Sequence, residues 1–70
     1  MTKSEILVHF GKKVQEMRKE RHLSQEQLAE RAGLHRTYIG MVERAEKNIT
    51  LRSMEKIANA LNVSIISLIQ

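Results

Sequence analysis

The chain has no cysteine, no proline, no tryptophan and no aspartate, and in 70 residues it holds three glycines and two aromatic side chains, Phe10 and Tyr38. Without cysteine there is no disulfide, no thiolate zinc site and no thiol nucleophile, and the lack of disulfides suits a reducing compartment. Small β-rich domains draw on turn residues and aromatic side chains, so their scarcity points away from sheet. No apolar run approaches the ~20 residues that span a bilayer. The opening MTKSEILVHFGKK turns polar again after Ile6 to Val8, which is not the pattern of a secretory signal. Seventy residues make one domain or less, too little for a substrate domain beside a cofactor domain, and most enzyme architectures are thereby excluded. A chain this short buries only about 60% of its unfolded surface. Regular helix packing or oligomerisation must supply what a disulfide would.

What is present is helical and basic. Twelve Lys and Arg stand against eight acids, all glutamate, for a net charge of +4, and 41% of the residues are hydrophobic. Glu, Lys, Arg, Leu, Ala, Met and Gln favour helix, and the expected class is all-α. A first helix is expected from Ser4, as N-cap, to about Arg21, with Leu7, Phe10, Val14, Met17 and Arg21 on one face. Gly11 falls inside it with no local reason. His22 sits where the chain must leave the helix, at a residue type that tolerates left-handed backbone.

Ser24-Gln25-Glu26-Gln27 reads as a capping box, flanked by Leu23 and Leu28 as a hydrophobic staple. The second helix runs from 25 to about 32 and ends at Gly33, where positive φ is cheap. Leu34 and His35 lead into a third helix, 36 to about 44. The segment 45–49 is a loop. Thr50 caps a fourth helix to about Leu61, with Leu51, Met54, Ile57, Ala58 and Leu61 facing inward and Asn62 as the stop. Ser64 caps a short fifth helix from Ile65. The expected architecture is a compact five-helix bundle, one domain over 1–70.

Two short helices joined by Gly33-Leu34-His35 make a helix–turn–helix, and Ala29 must be small where the helices cross. In the third helix a step of about 100° per residue turns Ile39 and Val42 inward and Thr37, Met41 and Arg44 outward, with Arg36 flanking. Arg can fork to guanine O6 and N7, and the Thr methyl can meet a thymine methyl. Gln25 stands at a helix N-terminus, whose free N–H groups suit a phosphate. Lys47 and Asn48 in the loop, with Arg52 and Ser53 just inside the next helix, are placed to reach the DNA backbone across the groove.

The run Leu23 to Leu34, LSQEQLAERAGL, resembles the helix–turn–helix of phage repressors and Cro, the xenobiotic-response-element type. His35-Arg36-Thr37-Tyr38-Ile39, Val42-Glu43-Arg44 and Asn48-Ile49-Thr50-Leu51 resemble the controller proteins of restriction–modification systems. The resemblance spans about residues 10–69. It implies a lambda-repressor-like five-helix fold and a dimer on a pseudo-palindromic operator, with a regulator acting at its own promoter. It maps Arg36, Thr37 and Tyr38 onto base and groove contacts; His35, just before them, is also an expected DNA contact. Gln25, Lys47, Asn48 and Ser53 map onto backbone contacts, and Arg18 with Glu43 onto an ion pair tying the first helix to the third. Gly40 and Met41 depart from the family pattern, so no operator sequence carries over.

The expected partners are double-stranded operator DNA, a second copy of the chain and, at a promoter, RNA polymerase; no membrane, cofactor or metal is expected, and the location is cytoplasmic. His9, His22 and His35 lack the spacing of a zinc helix. Glu26 and Glu30 read as solvated surface rather than an acid–base pair, and no residue is assigned catalysis. A basic membrane-active peptide explains the charge but not the caps or the turn. The segment 63–70, with Ile65, Ile66, Leu68 and Ile69, holds more apolar surface than one short helix can bury. It is the expected dimer contact. The same surplus suits the alternative of a small helical interaction protein, such as an antitoxin, whose main partner is another protein.

Overall fold

The computed structural model describes residues 4–70, so the expectations for the first residues of the chain, Met1 to Lys3, lie outside it. Five helices follow in order: α1 (Glu5–Glu20), α2 (Gln25–Ala32), α3 (Arg36–Glu43), α4 (Leu51–Leu61) and α5 (Ile65–Ile69), with no strand among the described residues. Short polar side chains start three of them. The Ser24 hydroxyl accepts from the Gln27 amide at 3.0 Å and the Gln27 side chain accepts from the Ser24 amide at 2.8 Å, a closed capping box. Thr50 accepts from Ser53 at 3.0 Å, and Ser64 from Ser67 at 3.3 Å. Ser4 occupies the cap position of α1 without a side-chain hydrogen bond, so its expected capping role is reduced to its extended backbone. His22, Gly33 and Asn62 end their helices in the left-handed region, at φ of 56°, 69° and 61°. Ala45 also turns left-handed, at φ 58°, which its sequence context did not announce.

The helices close around Phe10, Val14, Leu23, Leu28, Ala29, Ile39, Val42, Ile57, Ala58, Leu61 and Leu68, all buried. Leu23 and Leu28, the expected staple, are both in this cluster. α2 packs against α3 and α4, while α1 lies across α3, α4 and α5.

Three expectations about faces are corrected. Along α1 the buried row is Phe10, Gly11, Val14 and Arg18, while Arg21 is exposed and donates to the Met17 carbonyl at 3.0 Å. Steps of four residues keep 10, 14 and 18 on one side, and Arg18 can be buried because a carboxylate meets it. In α4 burial begins a turn later than expected: Leu51 is 75% exposed and stands outside the core. Leu68 is fully buried within the monomer, so it holds α5 in place and cannot also be a contact with a partner.

Gly11, unexplained by the sequence, has its reason in the crossing of α1 and α3. A Cβ there would lie 2.4 Å from the Val42 carbonyl oxygen and 2.9 Å from that of Glu43. Both obstacles are backbone, and only a residue without a side chain lets the two helices approach this closely.

Candidate nucleic-acid interface

The turn between α2 and α3 is built from its backbone. Gly33 provides left-handed geometry at φ 69°, and nothing lies within 4 Å of where its Cβ would be, so conformation rather than space selects glycine. The Leu34 amide donates to the Ala29 carbonyl at 2.9 Å and closes the end of α2. Ala29, 2% exposed, is the small residue at the crossing.

α3 presents the two sides its sequence implies. Ile39 and Val42 are buried; Arg36, Thr37 and Arg44 are exposed; Met41 is half-buried. Tyr38 is half-buried and packs against the core, so its ring is anchored rather than fully presented. His35 is the N-cap of α3: its Nδ1 accepts from the Thr37 amide at 3.0 Å. That nitrogen is committed to the helix start, and only Nε2 remains for an outside group.

Gln25 departs from its expected position as a side chain open at the N-terminus of α2. Its amide nitrogen donates to Glu43 Oε1 at 3.0 Å, within a network that joins three helices. Arg18 grips the same carboxylate with two bonds, Nε to Oε2 at 2.7 Å and Nη2 to Oε1 at 3.1 Å, and sends Nη1 to the Leu23 carbonyl at 2.7 Å. Gln15 stands 3.5 Å from Glu43 Oε1. The expected ion pair of Arg18 and Glu43 therefore exists, with side-chain exposures of 10% and 1%. Desolvating two charges is expensive, and the bidentate geometry with added hydrogen bonds offsets that cost. Among the described residues no buried side-chain polar atom lacks a partner.

Beyond α3, Lys47, Asn48 and Arg52 are exposed and Ser53 is half-buried. The Ser53 amide is held by Thr50, which leaves its hydroxyl available. The arginines at the two ends of α3 each meet a carboxylate: Arg36 Nη1 lies 3.2 Å from Glu26 Oε2, and Arg44 Nε lies 3.0 Å from Glu46 Oε1. The Arg44 guanidinium also lies back along α3, so that a Cβ on Gly40 would come within 3.1 Å of its Nη1. No reading of the sequence singled out Glu26 or Glu46 as partners. The Glu26–Arg36 contact spans ten positions across the turn, and no helical spacing announces it.

Beside the turn is an open groove lined by Glu26, Glu30, Leu34, His35 and Arg36. Among the described residues no three His, Cys, Asp or Glu side chains converge as metal ligands, and no helix is long and apolar enough to cross a membrane. What the arrangement can do is present a helix of groove-compatible width, with donors at its exposed N-terminal turn and cations on the loop that follows.

Comparison with known proteins agrees with this geometry. A family described as "Helix-turn-helix" matches residues 14–68. Control protein C.SmaI of Serratia marcescens is 54% identical over 56 residues, 80% of this chain and 67% of that protein. The crystal structure of the restriction-modification controller protein C.AhdI from Aeromonas hydrophila superposes with a TM-score of 0.87 at 44% identity, covering 89% of this chain and 94% of the other. SinR, a master regulator for biofilm formation solved in complex with DNA, superposes with a TM-score of 0.83 at 32% identity, covering 87% and 98% of the two chains.

Proposed function

The chain belongs to the helix-turn-helix family, and from that premise we propose that it is a transcriptional regulator of the restriction–modification controller kind, binding operator DNA through α3. The observation that carries the proposal is the joint of α2 and α3. A left-handed Gly33 sets the two helices across each other and leaves Arg36, Thr37 and Arg44 exposed beside the turn. The major groove admits a helix, and side chains on its first turn reach base edges.

In this reading Arg36 and Thr37 read bases, with Met41 and the Tyr38 edge lining the groove. Lys47, Asn48, Arg52 and the Ser53 hydroxyl hold the backbone. Gln25 supports the surface from behind through Glu43, so its role is to fix α2 against α3. A net charge of +4 adds general attraction to DNA.

The regulator acts as a dimer on a pseudo-palindromic site. Ile66 is 62% exposed and Ile69 39% exposed, both on α5, and a two-fold contact through such a patch closes on itself. It sets two copies of α3 about 34 Å apart, one turn of DNA. A dimer bound at the promoter of its own gene, in the cytoplasm, stands where RNA polymerase binds. The test is a titration on DNA from upstream of the gene, with and without excess random competitor, together with light scattering of the free protein. Saturable binding that survives competitor supports the reading. Equal affinity for random DNA overturns it, and a monomer that binds another protein instead points to the antitoxin-like alternative.

A further inference from the structure

The four exposed cations between residues 36 and 52 fall into two kinds. Arg36, which opens α3, and Arg44, its C-cap, lie 3.2 and 3.0 Å from a glutamate oxygen. Lys47 and Arg52, on the loop and the start of α4, have no carboxylate partner among the described residues. We propose that Glu26 is a specificity-determining residue: paired with Arg36, it makes the α3 arginine accept a base edge and refuse a phosphate. The inference rests on the reading of Arg36 as a base contact.

The Glu26–Arg36 pair contributes little to the fold. Both side chains are largely in water, 71% and 68% exposed, and exposed pairs of this kind are weak. The helix turns that carry it are nonetheless held from beneath. Glu26 belongs to the first turn of α2, which the Ser24–Gln27 box closes and which Gln25 ties to Glu43. Arg36 opens α3, held by the His35 cap. Two anchored helix starts thus bring a carboxylate to an arginine across the turn.

The chemistry of the two DNA surfaces then separates them. A phosphate is an anion, and an arginine that takes it must bring Glu26 against a like charge. A G·C pair shows guanine O6 and N7 as acceptors beside the cytosine N4 donor in the major groove. The fork of Arg36 matches the acceptors, and the Glu26 carboxylate matches the donor or stays in solvent without repulsion. The pair is complementary to a base-pair edge, whereas a bare arginine binds either surface. Lys47 and Arg52, without such a carboxylate, suit phosphates at every sequence.

The experiment compares Glu26→Gln, Glu30→Gln and Arg36→Ala, each measured on operator and on random DNA across a salt series. Glu30 lines the same groove and is exposed, so its substitution changes the net charge by the same amount. In Glu26→Gln, affinity for random DNA should rise and its salt slope steepen by about one unit as Arg36 becomes free for phosphate. Operator affinity should rise less or fall, lowering the ratio of specific to random binding by about three- to tenfold. Glu30→Gln should raise both affinities by the same factor, and Glu26→Gln should leave the ratio unchanged when Arg36 is already Ala. Equal gains on both DNAs in Glu26→Gln overturn the proposal while leaving Arg36 as a reader. If Arg36→Ala itself leaves discrimination intact, the base-reading role fails first and this proposal with it.

Discussion

Two exposed side chains, Arg36 and Lys47, differ in what their loss should do, although both are single positive charges. Arg36 is aligned at the first turn of α3, where a guanidinium can fork to a guanine. Arg36→Ala should cost about 1–3 kcal/mol on the operator and relax discrimination at one base pair. A panel of operators with single base-pair changes reads this directly, as a flattened profile at one position. Lys47 stands on the irregular segment after α3 and is exposed. Its ammonium is a point charge without a planar fork, suited to phosphate. Lys47→Ala should weaken binding to all sequences about equally and lower the salt slope by roughly one unit. A salt series on operator and random DNA checks it, and an unchanged slope removes Lys47 from the backbone contacts.

Helix against helix, α1 and α3 meet backbone to backbone at Gly11. At Gly11 two effects oppose each other. Alanine is favoured over glycine inside a helix by about 1 kcal/mol. Here, however, its Cβ would lie 2.4 Å from the backbone oxygen of Val42, and overpacking costs typically 1–3 kcal/mol. Backbone cannot swing aside as a side chain can, so sterics should win and Gly11→Ala should lower the midpoint of thermal unfolding. A raised midpoint would mean that α1 can slide on α3. Gly40 is the contrasting case: the nearest atom to its Cβ position is Nη1 of a flexible arginine, at 3.1 Å, and alanine there should be tolerated.

The same joint carries the buried pair. Removing one member of such a pair leaves an uncompensated charge and costs about 3–5 kcal/mol, a large part of the stability of a small domain. Arg18→Met or Glu43→Leu alone should therefore be severely destabilising. The double substitution should cost less than the sum, because no buried charge is stranded. Denaturant titrations of the three variants measure it, and additive losses would mean the charges act separately.

For the molecule as a whole, the proposed dimer rests on the apolar surface left outside the core. Leu68 and Ile66 lie on the same short helix but differ completely, the first fully buried and the second 62% exposed. Apolar area removed from water contributes roughly 25 cal/mol per Å², and a dimer would gain it without disturbing the monomer core. Ile66→Glu should lower both the dimer fraction and operator affinity while helical content survives. Sedimentation of wild type and variant across a concentration series measures this. A wild type that stays monomeric well above its DNA-binding midpoint would assign the α5 patch to another protein.

Much of this fold can be read along the chain because its signals are local. Ser24, Thr50 and Ser64 cap the helices they precede, and Gly33 and Asn62 turn left-handed where helices must stop; each depends on atoms within four residues. The period of 3.6 residues likewise turns Ile39 and Val42 inward and leaves Thr37 outside. Steric room and charge partners are not local. Gly11 has its reason 31 positions away in the Val42 carbonyl, and Arg18 is buried because Glu43 meets it. Gln25 points at Glu43 rather than at solvent, and Glu26 finds Arg36 across the turn. A helical period narrows an inward face to a sector but does not say which neighbour covers it, so Arg21 against Arg18, the exposure of Leu51 and the burial of Leu68 were decided only when the five helices closed on one another.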